Sequence, residues 1–330
     1  MPDALPPFLS ARRADPDLDL GWQDESFGAW WTRLLGAWQS TLPPTGITGA
    51  ARNGDTLRLT HATGAVTRGL LTCPPGPGPH PAVILFHEHG GRFDIGWEKL
   101  HDLPASKETR DALYGGHSAA LAMQAAGLAT LSCDAPCFGS RQAGGYDGQQ
   151  AFAAAAMGLG WSLAGLAASE HVALADWLTE DPRIGRIGAF GFSMGGHAAW
   201  VAGALSPRIE AVASASWLAC RADLMAPGMP LRSGHSAFHF LHPGLSHRAD
   251  YPDLAGLAAG KPLFFRSGRG DRHMPQDSVR RAWSHVARIA QAAGGPAPDT
   301  AFHPHGHTCP PDVLEAAASF LAAHLAGPRT

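Results

Sequence analysis

A serine framed by small residues, Gly191-Phe192-Ser193-Met194-Gly195, follows the apolar run Ile187-Gly188-Ala189-Phe190 and precedes an Ala-rich stretch. A strand entering and a helix leaving such a pentapeptide describe a nucleophile elbow, a turn so tight that only glycine clears the neighbouring chain. The turn lifts the hydroxyl out of the sheet and aims a helix N-terminus at the reacting carbon, which favours negative charge developing there. A serine hydroxyl is a weak nucleophile until a base takes its proton, and that base needs an orienting acid. A Gly-rich turn with an incidental serine is the plainer alternative, so both partners must be found elsewhere in the chain.

Asp271 stands in Arg266-Ser267-Gly268-Arg269-Gly270-Asp271, just beyond the apolar run Leu263-Phe264-Phe265 and before Pro275. An aspartate in a Gly-rich loop at a strand end can reach an imidazole without entering the sheet. Its other role would be to cap the helix starting near Pro275, but four residues of separation make it a poor cap. His307 lies in His303-Pro304-His305-Gly306-His307-Thr308-Cys309, between the last strand and the last helix. Three histidines at alternate positions also suggest a metal site, since imidazole is a common zinc ligand. No carboxylate or cysteine at ligand spacing accompanies them beyond Cys309, so no metal or cofactor is expected. His307, which follows glycine and directly precedes the final helix, is preferred to His305 as base.

A tetrahedral intermediate needs two N–H donors for its oxyanion. Met194, at the start of the elbow helix, supplies one amide. The loop His87-Glu88-His89-Gly90-Gly91 after Val83–Phe86 supplies the other, His89 first and Gly90 second, where glycine lets backbone approach a substrate closely. Glu88 is expected as a salt-bridged acid of this loop beside the pocket.

The elements that must hold these groups are readable from periodicity. Ala82–Phe86 is apolar on both faces, as a central parallel strand is. Thr56–Leu71 alternates like two strands about Gly64, and further strands are expected at 129–133, 187–190, 211–215, 262–265 and 300–302. Helices are expected at Glu25–Leu42, near Ala119–Met123, along 149–179, and at 196–205, 276–293 and 311–325. This alternation means an α/β fold with a mostly parallel central sheet and helices on both faces. Residues 1–50 form an N-terminal helical extension whose tryptophans are expected to pack rather than to bind a cofactor. Residues 51–330 form the main domain. Its insert at about 217–260 is expected to cap the site, with Trp217 and Phe238 in the substrate pocket and Phe240, Tyr251, Arg232, His235 and His239 nearby.

Composition narrows the classes of function. With 45% hydrophobic and 16% charged residues and a formal charge of -3, the chain has the make-up of a globular protein and no electrostatic footprint for nucleic acid or an anionic membrane. Five scattered cysteines do not make a disulfide framework, and Cys133 and Cys137 read as packing residues near a strand end. Met1–Leu20 lacks the apolar core of a secretory signal. Ala151–Ala168 is almost uncharged, but its Ala and Gly carry little transfer free energy and it runs into Glu170, His171 and Asp176. A buried helix is expected there, in a cytoplasmic protein. Oligomeric state is not readable.

Taken together, these segments resemble the dienelactone-hydrolase and acetyl-xylan-esterase-like branch of the α/β-hydrolase superfamily. The matching pieces are Phe86–Gly96 with Glu98-Lys99-Leu100, Asp134–Arg141, Gly191–Gly196, Asp250-Tyr251-Pro252-Asp253, Gly268–Asp271 and Gly306-His307, in collinear order over roughly residues 56–325. The resemblance implies the α/β-hydrolase fold, Ser193 as nucleophile, Asp271 as acid, His307 as base, and a small carboxylic ester as substrate. Dienelactone hydrolases proper use cysteine where Ser193 stands, which points toward ordinary carboxylesters, acetylated sugars among them. The alternatives are a serine peptidase or amidase of the same fold, and a metal-dependent hydrolase built on His87, His89, His303, His305 and His307.

Overall fold

The structure, a computed structural model, describes residues 5–233 and 236–327. Nine strands form one sheet: β1 (Ile47–Asn53), β2 (Thr56–His61), β3 (Val66–Thr72), β4 (His80–Phe86), β5 (Ala129–Cys133), β6 (Ile184–Phe192), β7 (Ile209–Ala215), β8 (Leu263–Gly268) and β9 (Asp299–His303). Their spatial order is β1-β2-β3-β5-β4-β6-β7-β8-β9. From β5 to β9 every neighbouring pair is parallel, whereas β1, β2 and β3 form an antiparallel meander that joins β5. This is the mostly parallel sheet expected from the alternation of strands and helices, in the arrangement that the α/β-hydrolase resemblance implies.

Two apolar layers follow from the period of two along each strand. Ala82, Ile84 and Phe86 of β4 face one core with Ala189, Val212 and the buried helix Met194–Leu205. Val83 and Leu85 face the other, with Phe190, Phe192 and the helices Ala119–Ala125 and Pro311–Leu325. Covered on both faces, the central strands have no polar side, which is why they read as unbroken apolar runs.

Helix Phe27–Gln39 buries Trp30, Leu34 and Trp38, so its aromatic stripe is packing. Trp30 donates its indole N–H to the Leu20 carbonyl at 3.0 Å, and Trp31 to that of Leu257 at 3.1 Å. The segment 217–260 carries short helical turns, among them Tyr251–Gly256. Asp250-Tyr251-Pro252-Asp253 is a capping box there: Asp250 caps the helix while the Asp253 carboxylate accepts from the Asp250 amide at 2.8 Å. The other Asp253 oxygen accepts from the Trp22 amide at 3.0 Å and ties the N-terminal segment to the main body.

Two expectations are corrected. The single helix over 149–179 is two, Gly145–Gly158 and Leu163–Leu178, bent by 86°. Gly160 takes a left-handed φ of +87°, and Ser162 starts the second helix by accepting from the Gly165 amide at 2.9 Å. The second helix is buried, but the first buries only Gln149, Ala153 and Ala156. Among the described residues no single helix is long and apolar enough to cross a membrane; the bent pair passes that test by length and composition only. The second correction is β1, which no pattern announced: as an outer strand with almost every residue exposed, it carries no core-facing alternation.

Candidate active site

The elbow is built by close backbone approach. A Cβ on Gly191 would stand 2.0 Å from the Gly195 carbonyl oxygen, and one on Gly195 would stand 1.9 Å from that of Phe86 in β4. Between them Ser193 is held at φ +55° and ψ -123°, a region that costs a non-glycine residue about 1–3 kcal/mol. Its amide donates to the Ala215 carbonyl at 2.9 Å, and its carbonyl accepts from the His197 amide at 3.0 Å. The hydroxyl is thereby fixed at the C-terminal edge of the sheet.

Asp271 and His307 come to the same edge from the loops after β8 and β9. These loops run against each other, Arg269 donating to the His303 carbonyl at 2.9 Å and Gly270 to that of His305 at 3.1 Å. Glycine at 268 permits this contact, since a Cβ there would meet the Gly306 carbonyl oxygen at 2.1 Å. His307 Nδ1 lies 2.8 Å from Asp271 Oδ2, and its Nε2 lies 2.8 Å from Ser193 Oγ. An ionised carboxylate only accepts, so the ring proton sits on Nδ1 and Nε2 is left to accept from the serine hydroxyl.

Asp271 is not a helix cap: its second oxygen accepts from the amides of His273 at 2.8 Å and Met274 at 3.2 Å. Burial disfavours its charge, but the hydrogen bond and charge of His307, with the His273 amide, outweigh that and hold the carboxyl below its ordinary value. The His273 ring stands edge-on to His307 at 4.7 Å. Burial and the His307 charge keep His273 below the usual imidazole range.

Of the other two histidines in that run, His303 is buried with neither ring nitrogen partnered among the described residues, and His305 is exposed. His307 spends both nitrogens on Asp271 and Ser193. Among the described residues no group of three His, Cys, Asp or Glu side chains is placed to hold a metal ion.

Ser193 and His307 open into a cleft of about 450 Å³ that Met194, Glu88, His89 and Gly90 also line. Met194 is the first residue of the elbow helix, where the leading amides have no intrahelical acceptor. Gly90 and Gly91 adopt φ of +59° and +71°, so the chain curls over the cleft there in a conformation that favours glycine. Trp217 lines the cleft, its ring 4.3 Å from that of Phe240.

Two site residues are placed differently from expectation. Phe238 is not in the cleft; it packs on Cys137, Ala153 and Leu163 beside a separate cavity of about 220 Å³. It lies in the 3₁₀ turn Ala237–His239, whose roughly 120° per residue sends positions two apart to different sides, so Phe240 faces the cleft instead. Glu88 lines the cleft but forms no ion pair among the described residues. One oxygen accepts from the Tyr114 hydroxyl at 2.5 Å, and the other is buried without a partner among those residues. Tyr114 is fully buried and reaches the acid from the residue that caps the C-terminus of helix Lys107–Leu113, an arrangement no local spacing announces. His235 lies outside the described residues. His239 is buried and turned onto Gln149.

Tyr146 and His273 also line the cleft, and Lys99 and Gln149 lie behind it; sequence reasoning assigned none of them a role. Lys99 lies in Glu98-Lys99-Leu100, whose spacing does not tell which way its side chain points.

A model of the Abhydrolase family matches residues 102–293. A candidate hydrolase of Bacillus subtilis (strain 168), YtaP, is 25% identical over 219 residues, which span 66% of this chain and 69% of that one. Among solved structures, a candidate acetyl xylan esterase from Bacteroides fragilis superposes with a TM-score of 0.66 at 18% identity, over 91% of this chain and 83% of that one. A glucuronoyl esterase from Solibacter usitatus gives 0.61 at 15% identity, over 94% and 97%. At these identities the two structures are evidence of the fold alone.

Proposed function

We propose, from the premise that this chain belongs to the Abhydrolase family, that it is a serine esterase cleaving small carboxylic esters through an acyl-enzyme. One observation carries the reading: the imidazole of His307 bridges Asp271 and Ser193 at 2.8 Å on each side. Ser193 Oγ attacks the ester carbonyl as His307 Nε2 takes its proton. Asp271 holds the ring in the required tautomer and stabilises the imidazolium that forms. The amides of Met194 and His89, with Gly90 beside them, receive the oxyanion. The alcohol departs with the proton from His307, and water then repeats the sequence to release the acid.

A cleft of about 450 Å³ suits a small ester, and Trp217 and Phe240 give it an aromatic wall. The name of one structural neighbour, acetyl xylan esterase, makes acetylated sugars the first natural substrates to try. A fluorophosphonate should label Ser193, and Ser193→Ala should lower p-nitrophenyl acetate turnover at least about 10³-fold. Near-wild-type turnover by that variant would end the reading. Faster cleavage of aminoacyl anilides than of esters would favour a peptidase or amidase instead.

A further inference from the structure

Lys99 is fully buried beneath the loop that follows β4. Its ammonium donates to the carbonyl oxygens of Glu88 at 3.0 Å and His89 at 2.8 Å and lies 4.4 Å over the Phe138 ring. Among the described residues no carboxylate pairs with it. A buried cation without an ion-pair partner is costly, and a neutral side chain would fill the space more cheaply. Its two acceptors explain its place. In a trans peptide the C=O and N–H point in opposite directions. Holding the Glu88 oxygen therefore turns the His89 N–H away from the lysine, and holding the His89 oxygen does the same for the Gly90 N–H. These are the two loop amides offered to the oxyanion.

We propose that Lys99 is a positioning residue of the oxyanion loop, fixing the 88–89 and 89–90 peptide planes toward the cleft and placing a positive charge behind them. The inference rests on the esterase reading. The loop needs such support, because Gly90 and Gly91 restrain it little. A second hold comes from the other side. The Gly91 amide donates to His89 Nδ1 at 3.3 Å, so that ring carries its proton on Nε2. Nε2 then donates to Gln149 Oε1 at 3.1 Å, the oxygen that also meets His239 Nε2 at 3.0 Å. Gln149 thus tethers the loop sideways while Lys99 sets its peptide planes.

The charge on Lys99 is titratable near working pH. Burial pushes it down to about 8, against the opposing pull of Glu88, Asp94 and Asp134, and Arg92 pushes the same way as burial. His87 and His239, which also feel its charge, are kept neutral by burial. As pH rises through that value the charge behind the amides is lost, so kcat should fall.

The test uses the intact chain, p-nitrophenyl acetate, and an alkyl boronate that forms a tetrahedral adduct on the serine. Lys99→Met should lower kcat by about 10²-fold, change KM less than about threefold, weaken boronate binding by a similar factor to kcat, and abolish the alkaline limb. Lys99→Arg should restore part of kcat and move the limb to higher pH. Should Lys99→Met not fold, Glu88→Gln removes the acid that raises the lysine, and the limb should move to lower pH. A folded Lys99→Met with kcat and boronate affinity within about twofold of wild type overturns the proposal, as does an unmoved limb in Glu88→Gln. Wild-type protein that turns over no ester and leaves Ser193 unlabelled overturns the esterase reading itself.

Discussion

Arg141 donates both terminal guanidinium N–H groups to Glu170, at 2.6 and 2.7 Å, with both side chains almost completely buried. The pair joins the loop after β5 to the inner helix Leu163–Leu178, and Arg141 also reaches the Asp134 carbonyl at 3.3 Å. Two charges are desolvated here, so the pair adds little net stability while its halves are strongly interdependent. Glu170→Gln, or Arg141→Met, should destabilise the fold by about 3–5 kcal/mol, because either leaves one buried charge uncompensated. The double variant should cost clearly less than the two single losses added together. Urea unfolding of the three proteins checks this; additive losses would mean that the two groups do not act as a pair.

Asp271→Asn should fold normally yet lower kcat by about 10³–10⁴-fold. The amide oxygen can keep the bonds from the His273 and Met274 amides. Its NH₂ then faces His307 Nδ1 and turns that nitrogen into an acceptor. The ring proton moves to Nε2, where it opposes the Ser193 hydroxyl instead of receiving from it. Unchanged thermal unfolding with lost turnover is the expected signature, and a kcat within tenfold of wild type would remove Asp271 from the mechanism.

What the residues announced and what they hid divide along physical lines. β4 and β6 were legible because both faces are buried along 82–86 and 187–192, so those positions are apolar or glycine. Ser193, Asp271 and His307 were legible because each sits just past a strand, where chain order alone brings them to one edge of a parallel sheet. The break at Gly160 was not, since one glycine among alanines and glycines leaves the pattern unchanged. Nor could spacing tell Phe238 from Phe240, because the rotation of a single 3₁₀ turn decides which of them meets the cleft. The partners of Glu88 and Lys99 depend on tertiary contacts, Tyr114 lying 26 residues from the acid it binds.

The approach of Gly195 to the Phe86 carbonyl yields a second structural test. Gly195→Ala would drive a methyl group to 1.9 Å from a backbone oxygen in the central strand, where no side-chain rotation relieves it. Either β4 or the elbow helix must move, and Ser193 moves with it. The variant should lose at least about 10²-fold in kcat even where it remains folded, since displacements of the order of 1 Å cost that much. Gly28→Ala, on the helix Phe27–Gln39 where nothing stands near the added methyl, serves as the neutral control. Equal behaviour of the two variants would refute the packing account of the elbow.

Stability should fall steeply on acidification, and the cause is an interior rich in neutral imidazoles. Burial holds His101 and His171 down to about 4 and His242 to about 3, from an ordinary value of 6.5. Burial lowers His61, His87, His197 and His239 as well. A histidine whose folded pKa lies below its unfolded one binds its proton more readily when unfolded. Its contribution is therefore complete above pH 6.5 and is lost as pH falls toward the folded value. Each such group steepens the decline by up to about 1.4 kcal/mol per pH unit, so His101, His171 and His242 together give up to about 4 kcal/mol per unit near pH 5. His242 offers a clean subtraction: neither of its ring nitrogens has a partner among the described residues, and it packs edge-on to Trp38 at 5.4 Å. His242→Phe should keep that packing, leave stability at pH 7 nearly unchanged, and flatten the slope by about 1.4 kcal/mol per pH unit. Urea midpoints measured at half-unit steps from pH 7 to 4.5 decide it, and a slope unaltered by the substitution would show that His242 does not titrate on unfolding.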